Sequence, residues 1–188
     1  MIDSNLDYSP MTLLRPCDHI QGRPEKNITL VAYGDYQNLR SGQAYFMIKN
    51  LLKTFNDQLC FVYRHFPQAA SRSAAWKAAE AAEVASDQGK FWEMHDILAR
   101  NHLALDDCDL VSYADQAGLN IPQFLCGMAS HVHTHKVEAD VESGKANGVI
   151  DIPTFFTTIR SQDIQHINGL MHQIAEIKNT FSRMNNEC

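Results

Sequence analysis

Tyr33-Gly-Asp-Tyr-Gln-Asn-Leu-Arg-Ser-Gly-Gln-Ala-Tyr45 joins two stretches of different periodicity. Before it, Ile28 to Tyr33 is a run of aliphatic, β-branched and aromatic residues that predicts a buried strand. After it, Ala44, Tyr45, Ile48, Leu51, Leu52 and Phe55 recur at three- and four-residue spacings, which predicts a helix from Gly42 to Phe55. The stretch is therefore a strand-to-helix turn, where backbone N–H groups and the positive end of the helix dipole face a ligand. Asn38 is a preferred N-cap residue, and Ser41 suits the first helical turn. Arg40 adds a cation that would help hold an anion there; the alternative is that Arg40 points to water and Asn38 is only a cap.

Outward from this turn, Leu59 to Phe66 predicts a second strand, ended by Pro67. Strand, helix and parallel strand make a right-handed βαβ unit. Upstream, residues 1–24 are mostly polar, with Pro10, Pro16 and Pro24, and read as an extended arm that His19 fixes by a hydrogen bond. Downstream the period becomes helical: Ser73 to Gln88, Lys90 to His102, Asp107 to Ala117, Ile121 to Met128 and His131 to Lys145. Strand signals return at Pro153 to Ile159 and Asp163 to Ile167, and an amphipathic helix runs from Leu170 to Phe181. The expected organisation is an arm (1–24), an α/β domain made of 25–68 and 149–188, and an all-helical insertion over 69–148.

The chain has 188 residues, 45% of them hydrophobic, which is enough for one core. A formal charge of −6 and the lack of any Lys/Arg run exclude nucleic acid and anionic membranes as expected partners. No apolar run approaches the roughly 20 residues of a membrane span. The N-terminus has no apolar secretory core. Cys17, Cys60, Cys108, Cys126 and Cys188 are scattered, with no Cys-X-X-Cys pair, so free thiols in a reducing cytoplasm are expected.

The order of elements, together with Tyr33-Gly-Asp-Tyr36, Gly42-Gln-Ala-Tyr45, Tyr63-Arg-His-Phe-Pro67, Gln88-Gly-Lys-Phe-Trp-Glu-Met-His95, Ser143-Gly144 and Pro153-Thr-Phe-Phe156, resembles the DsbA-like oxidoreductases. The resemblance implies a thioredoxin fold, a central mixed β-sheet flanked by helices, carrying a helical insertion. It also implies a site with two halves. One is the helix start, where active relatives hold two cysteines at the positions of Asn38 and Ser41. The other is Pro153, matching a cis-proline whose preceding residue, here Ile152, pairs its backbone with an extended peptide. Asn38 and Ser41 cannot form a disulfide or relay two electrons, so thiol–disulfide exchange through this motif is excluded by chemistry.

No catalytic residue is therefore assigned, and whether the chain is an enzyme stays open. The expected binding residues are Tyr36, Asn38, Leu39, Arg40, Ser41, Ile152 and Pro153, with an extended peptide or protein as partner and no cofactor or metal. A homodimer through exposed groove edges stays open. One alternative is binding of glutathione or a similar thiol, by resemblance to kappa-class glutathione transferases, with Ser41 or Asn38 donating to the thiolate. Another is residual oxidoreductase activity through a different cysteine, such as Cys17 or Cys60. His131-Val-His-Thr-His135 has metal-ligand types, but a helix aligns only His131 and His135, so an exposed helix start is expected. Trp76, Phe91 and Trp92 are expected in the core, and Glu80 and Glu83 on a solvated helix face. No Ser/His/Asp set or phosphate-binding loop is visible.

Overall fold

The computed structural model describes residues 14–22, 28–55, 58–69, 73–159, 172–177 and 179–180. His19–Gln21 forms a first strand, β1, where the sequence predicts only an extended arm. Three residues without apolar alternation give no strand signal. They pair because β3 (Leu59–His65) offers them an edge, with His19 opposite Tyr63 in antiparallel register.

The sheet has the order β1-β3-β2-β4. At its centre β2 (Ile28–Gly34) and β3 run parallel, Ile28 beside Leu59 and Gly34 beside His65. β4 (Thr154–Ile159) pairs antiparallel with β2. Every residue of β2 and β3 is buried, which is why both read as continuous rather than alternating apolar runs. The pleat still sorts them. Leu30, Ala32, Phe61 and Tyr63 enter a large core with α1 (Leu39–Phe55) and the insertion, whereas Val31, Tyr33, Cys60 and Val62 enter a second cluster with Phe66, Val149 and Ile152.

Among the described residues, five helices lie between β3 and β4: α2 (Ala74–Ser86), α3 (Phe91–Leu98), α4 (Asp107–Gln116), α5 (Ile121–Ser130) and α6 (Thr134–Ala146). Their starts are written in the sequence. Ser73 caps α2, Asp106 and Asp109 form a reciprocal capping box on α4, and Asn120 caps α5. α6 begins at Thr134 rather than His131, because His131 takes a left-handed conformation (φ 50°) that ends α5. At Gly144, a Cβ would lie 2.5 Å from the Phe66 ring, so only glycine lets α6 lie against the β3 end. The expected strand at Asp163 to Ile167 falls outside the described residues. Helical residues 172–177 place Ile174 and Ile177 in the large core.

Candidate functional site

The turn between β2 and α1 is closed by its own side chains. Asn38 Oδ1 accepts from the Ser41 N–H at 3.1 Å and caps α1, so the helix starts at Leu39, ahead of the Gly42 start that the sequence predicts. Ser41 Oγ accepts from the Asp35 N–H at 3.3 Å. The Asp35 carboxylate accepts from the N–H groups of Gln37 and Gln68. Burial raises the Asp35 pKa, against those backbone bonds and the nearby His65, which lower it. Both residues at the expected cysteine positions thus serve the backbone.

Tyr36 sits beneath this turn, 3% exposed, its hydroxyl 2.8 Å from His95 Nδ1. Burial pulls His95 well below the ordinary imidazole value and pushes the Tyr36 phenol well above its own. At neutral pH the phenol therefore donates to an uncharged imidazole. Tyr36, Ser41, Tyr63 and Pro153 line a small cavity of about 30 Å³, room for one or two waters. The helix start and Pro153 are thereby brought together. The Ile152–Pro153 peptide is cis, and Ile152 is buried in the second cluster. The surface above is apolar at two points: Leu39, 54% exposed, and Ile150, 82% exposed. Arg40 lies half-buried at the same helix start.

A second polar centre lies in the interior. Glu83, expected on a solvated face, is 3% exposed, and so is Glu80. α2 is lined with alanine on all sides and packs all round, so its carboxylates enter with it. That composition was the available signal. His19 Nε2 lies 2.9 Å from both Glu83 oxygens, and His65 Nε2 lies 2.9 Å from Oε1. Burial alone would raise the Glu83 carboxyl, but hydrogen bonds from His19 and then His65 outweigh it and hold the group well below the carboxylate range. His19 also stacks on Phe91 at 3.4 Å between ring centres, so it fixes the arm as expected.

Lys136 Nζ bridges Asp140 at 2.7 Å and Glu83 at 3.5 Å, and Asp140 in turn accepts from Arg15 and from the His65 N–H. Arg64 closes a bidentate pair with Asp18, 2.9 and 2.8 Å, and donates to the Tyr33 hydroxyl. His65, Glu83 and Asp140 place ligand atoms within 4.8 Å of one another, a spacing a metal could use. Two side-chain cations already meet these carboxylates: the Lys136 ammonium at Glu83 and Asp140, and Arg15 at Asp140.

The histidine run divides. His131 pairs with Glu80 and His133 with Asp87, while His135 lies exposed in α6. Trp76 and Phe91 are buried and Trp92 half-buried, as expected. Cys17, Cys108 and Cys126 are exposed thiols outside any disulfide, and Cys60 is buried. Among the described residues, no helix is long and apolar enough to cross a membrane.

The thioredoxin family model matches residues 15–174, and the chain belongs to that family. Within it, the architecture is DsbA-like, a thioredoxin fold interrupted by helices. A thioredoxin-like oxidoreductase from Silicibacter pomeroyi DSS-3 superposes with a TM-score of 0.70 at 20% identity, covering 86% of this chain and 94% of that one. Wolbachia pipientis alpha-DsbA1 gives 0.68 at 15% identity, covering 94% and 96%. Two curated relatives are closer in sequence. Na(+)/H(+) antiporter NhaA 1 of Salinispora arenicola (strain CNS-205) is 37% identical over 143 residues, 76% of this chain but 22% of the relative. The protein of the same name from Mycolicibacterium gilvum (strain PYR-GCK) is 36% identical over 169 residues, 87% of this chain and 26% of the relative. The chain spans about a quarter of these relatives' length.

Proposed function

We propose that this protein is a non-redox thioredoxin-fold module that binds an extended polypeptide between the α1 start and the Ile152–Pro153 loop. The observation that carries this reading is the hydrogen bonding of Asn38 and Ser41. Both hold the turn's backbone in place, in a site with no thiol at its centre. Leu39 and Ile150 give a partner apolar contact, and Ile152, its side chain buried, offers backbone groups. The exposed thiols of Cys17, Cys108 and Cys126, outside any disulfide, favour a cytoplasmic setting.

Two assays test it together. The unmodified protein should not reduce insulin, and Asn38→Cys/Ser41→Cys should gain that activity. Fluorescein-labelled, carboxymethylated insulin B chain should bind the unmodified protein and bind Leu39→Ser more weakly. Insulin reduction that disappears on replacing a single cysteine would refute the loss of redox chemistry, and the absence of B-chain binding would refute the peptide role.

Two further readings have specific support. Ser41 Oγ accepts from Asp35 and keeps a proton to donate, which suits a bound thiolate. A rise in Tm at millimolar glutathione, lost in Ser41→Ala, would favour this thiol-binding role. Separately, the matching segment of the relatives lies within polypeptides named as antiporters, which supports a module that works beside a membrane transporter. Co-purification with a co-expressed antiporter, lost in Leu39→Ser, would favour it.

A further inference from the structure

A groove of about 530 Å³ runs between α2, α6 and the segment after β3. Phe66, Trp76, Val141 and Val149 make its apolar lining. Glu138 and Glu142, one turn apart on α6, are both exposed at its rim. Neither has an ion-pair partner among the described residues; Lys145 is the one cation among the described lining residues. Trp76 is 8% exposed, and its indole N–H finds no acceptor among the described residues. That N–H is sealed inside the protein, so the indole serves the groove as part of its apolar wall.

The groove also continues into the site above. Gln68 lines it, donating through its side chain to the Ile150 carbonyl at 3.1 Å and through its N–H to Asp35 at 3.2 Å. Ile150, itself part of the lining, lies two residues before Ile152. The Ile152–Pro153 loop and the groove therefore adjoin.

We infer that this groove is a specificity pocket for a basic residue flanked by aliphatic ones in an extended polypeptide, its charged end facing Glu138 and Glu142 and the aliphatic side chains lying against Phe66, Trp76, Val141 and Val149. The inference rests on the peptide-binding reading above. Charge selects this occupant over two others. Residues 1–13 carry Asp3 and Asp7 and no basic side chain, and a second copy of the chain brings a net charge of −6.

The test uses fluorescence anisotropy on the full chain with two labelled, acetylated heptapeptides, one alternating valine with arginine, the other valine with glutamate. The arginine peptide should bind about tenfold more tightly, with an advantage that shrinks as salt rises. Glu138→Lys/Glu142→Lys, at exposed positions that do not threaten folding, should remove or reverse the preference. Equal binding of the two peptides, or a preference that survives charge reversal, overturns the pocket and leaves the parent reading standing. Failure of both peptides to bind overturns both. Self-association broken by Glu138→Lys/Glu142→Lys would assign the groove to a second copy. Tighter peptide binding on Leu6→Ser/Met11→Ser would assign it to residues 1–13, and either result overturns the inference.

Discussion

Glu83 is ionised inside an alanine helix, and its neighbours explain how. A carboxylate taken from water without partners would take up a proton instead. Here two histidines and the Lys136 ammonium surround it. The arrangement is mutual: Lys136, 8% exposed, is held in the interior by Glu83 and Asp140. Removing one member of such a cluster leaves the opposite charge uncompensated. Lys136→Met should therefore lower stability by about 3–5 kcal/mol, read as a drop in urea midpoint. A change below about 1 kcal/mol would mean that His19, His65 and Arg15 balance the carboxylates unaided. Asn38 and Ser41 are a simpler case at this scale. Their residue types alone rule out the dithiol, and the structure adds that both side chains already bond the turn.

Among the elements, α6 depends most on a single position. It crosses the β3 end at Gly144, against Phe66 and Tyr33, and Ser143 and Asn147 on either side bond the Tyr33 hydroxyl at 2.9 and 3.0 Å. Gly144→Val would force the helix off that surface. Overpacking of this kind costs about 1–3 kcal/mol. The lost Tyr33 bonds should also deepen amide exchange along α6, measurable by mass spectrometry. An exchange pattern confined to residues next to the substitution would show that Phe66 gives way instead. Element types were legible from apolar period, and most helix starts from Ser73, Asp106 and Asn120. β1 was not legible, since its pairing comes from the edge of β3. The α5–α6 boundary was misplaced because the sequence does not state that His131 turns left-handed.

For the molecule as a whole, the interior charges tie four parts of the fold together. Asp18 and His19 from the N-terminal segment meet Arg64 and His65 of β3, Glu83 of α2 and Asp140 of α6. Their titration should govern acid stability. Glu83 has its folded carboxyl far below the ordinary 4.5, so its contribution is complete above that pH and is lost progressively as pH falls below it. Asp18 acts in the same sense: burial opposes, but the bond to Arg64 wins and lowers its carboxyl. Asp35 acts in the opposite sense, its raised carboxyl relieving a cost on protonation. The urea midpoint should decline from about pH 4.5 downward, and Glu83→Gln should flatten that decline while lowering the plateau. An unchanged slope in the variant would place the acid sensitivity in other carboxylates.

The sequence by itself determined the βαβ start, the helical insertion, the strand and helix that follow, and the absence of a dithiol. Those follow from local periodicity, capping residues and side-chain chemistry, which need no knowledge of distant neighbours. Only the tertiary structure decided that β1 pairs with β3, that Glu80 and Glu83 are interior, that Lys136 bridges Glu83 and Asp140, and that a groove with acidic groups at its rim adjoins the cis-proline loop. Each of these depends on residues tens of positions apart meeting in space. For a charged side chain the meeting decides everything, because the same carboxylate is solvated or buried according to what the fold places against it.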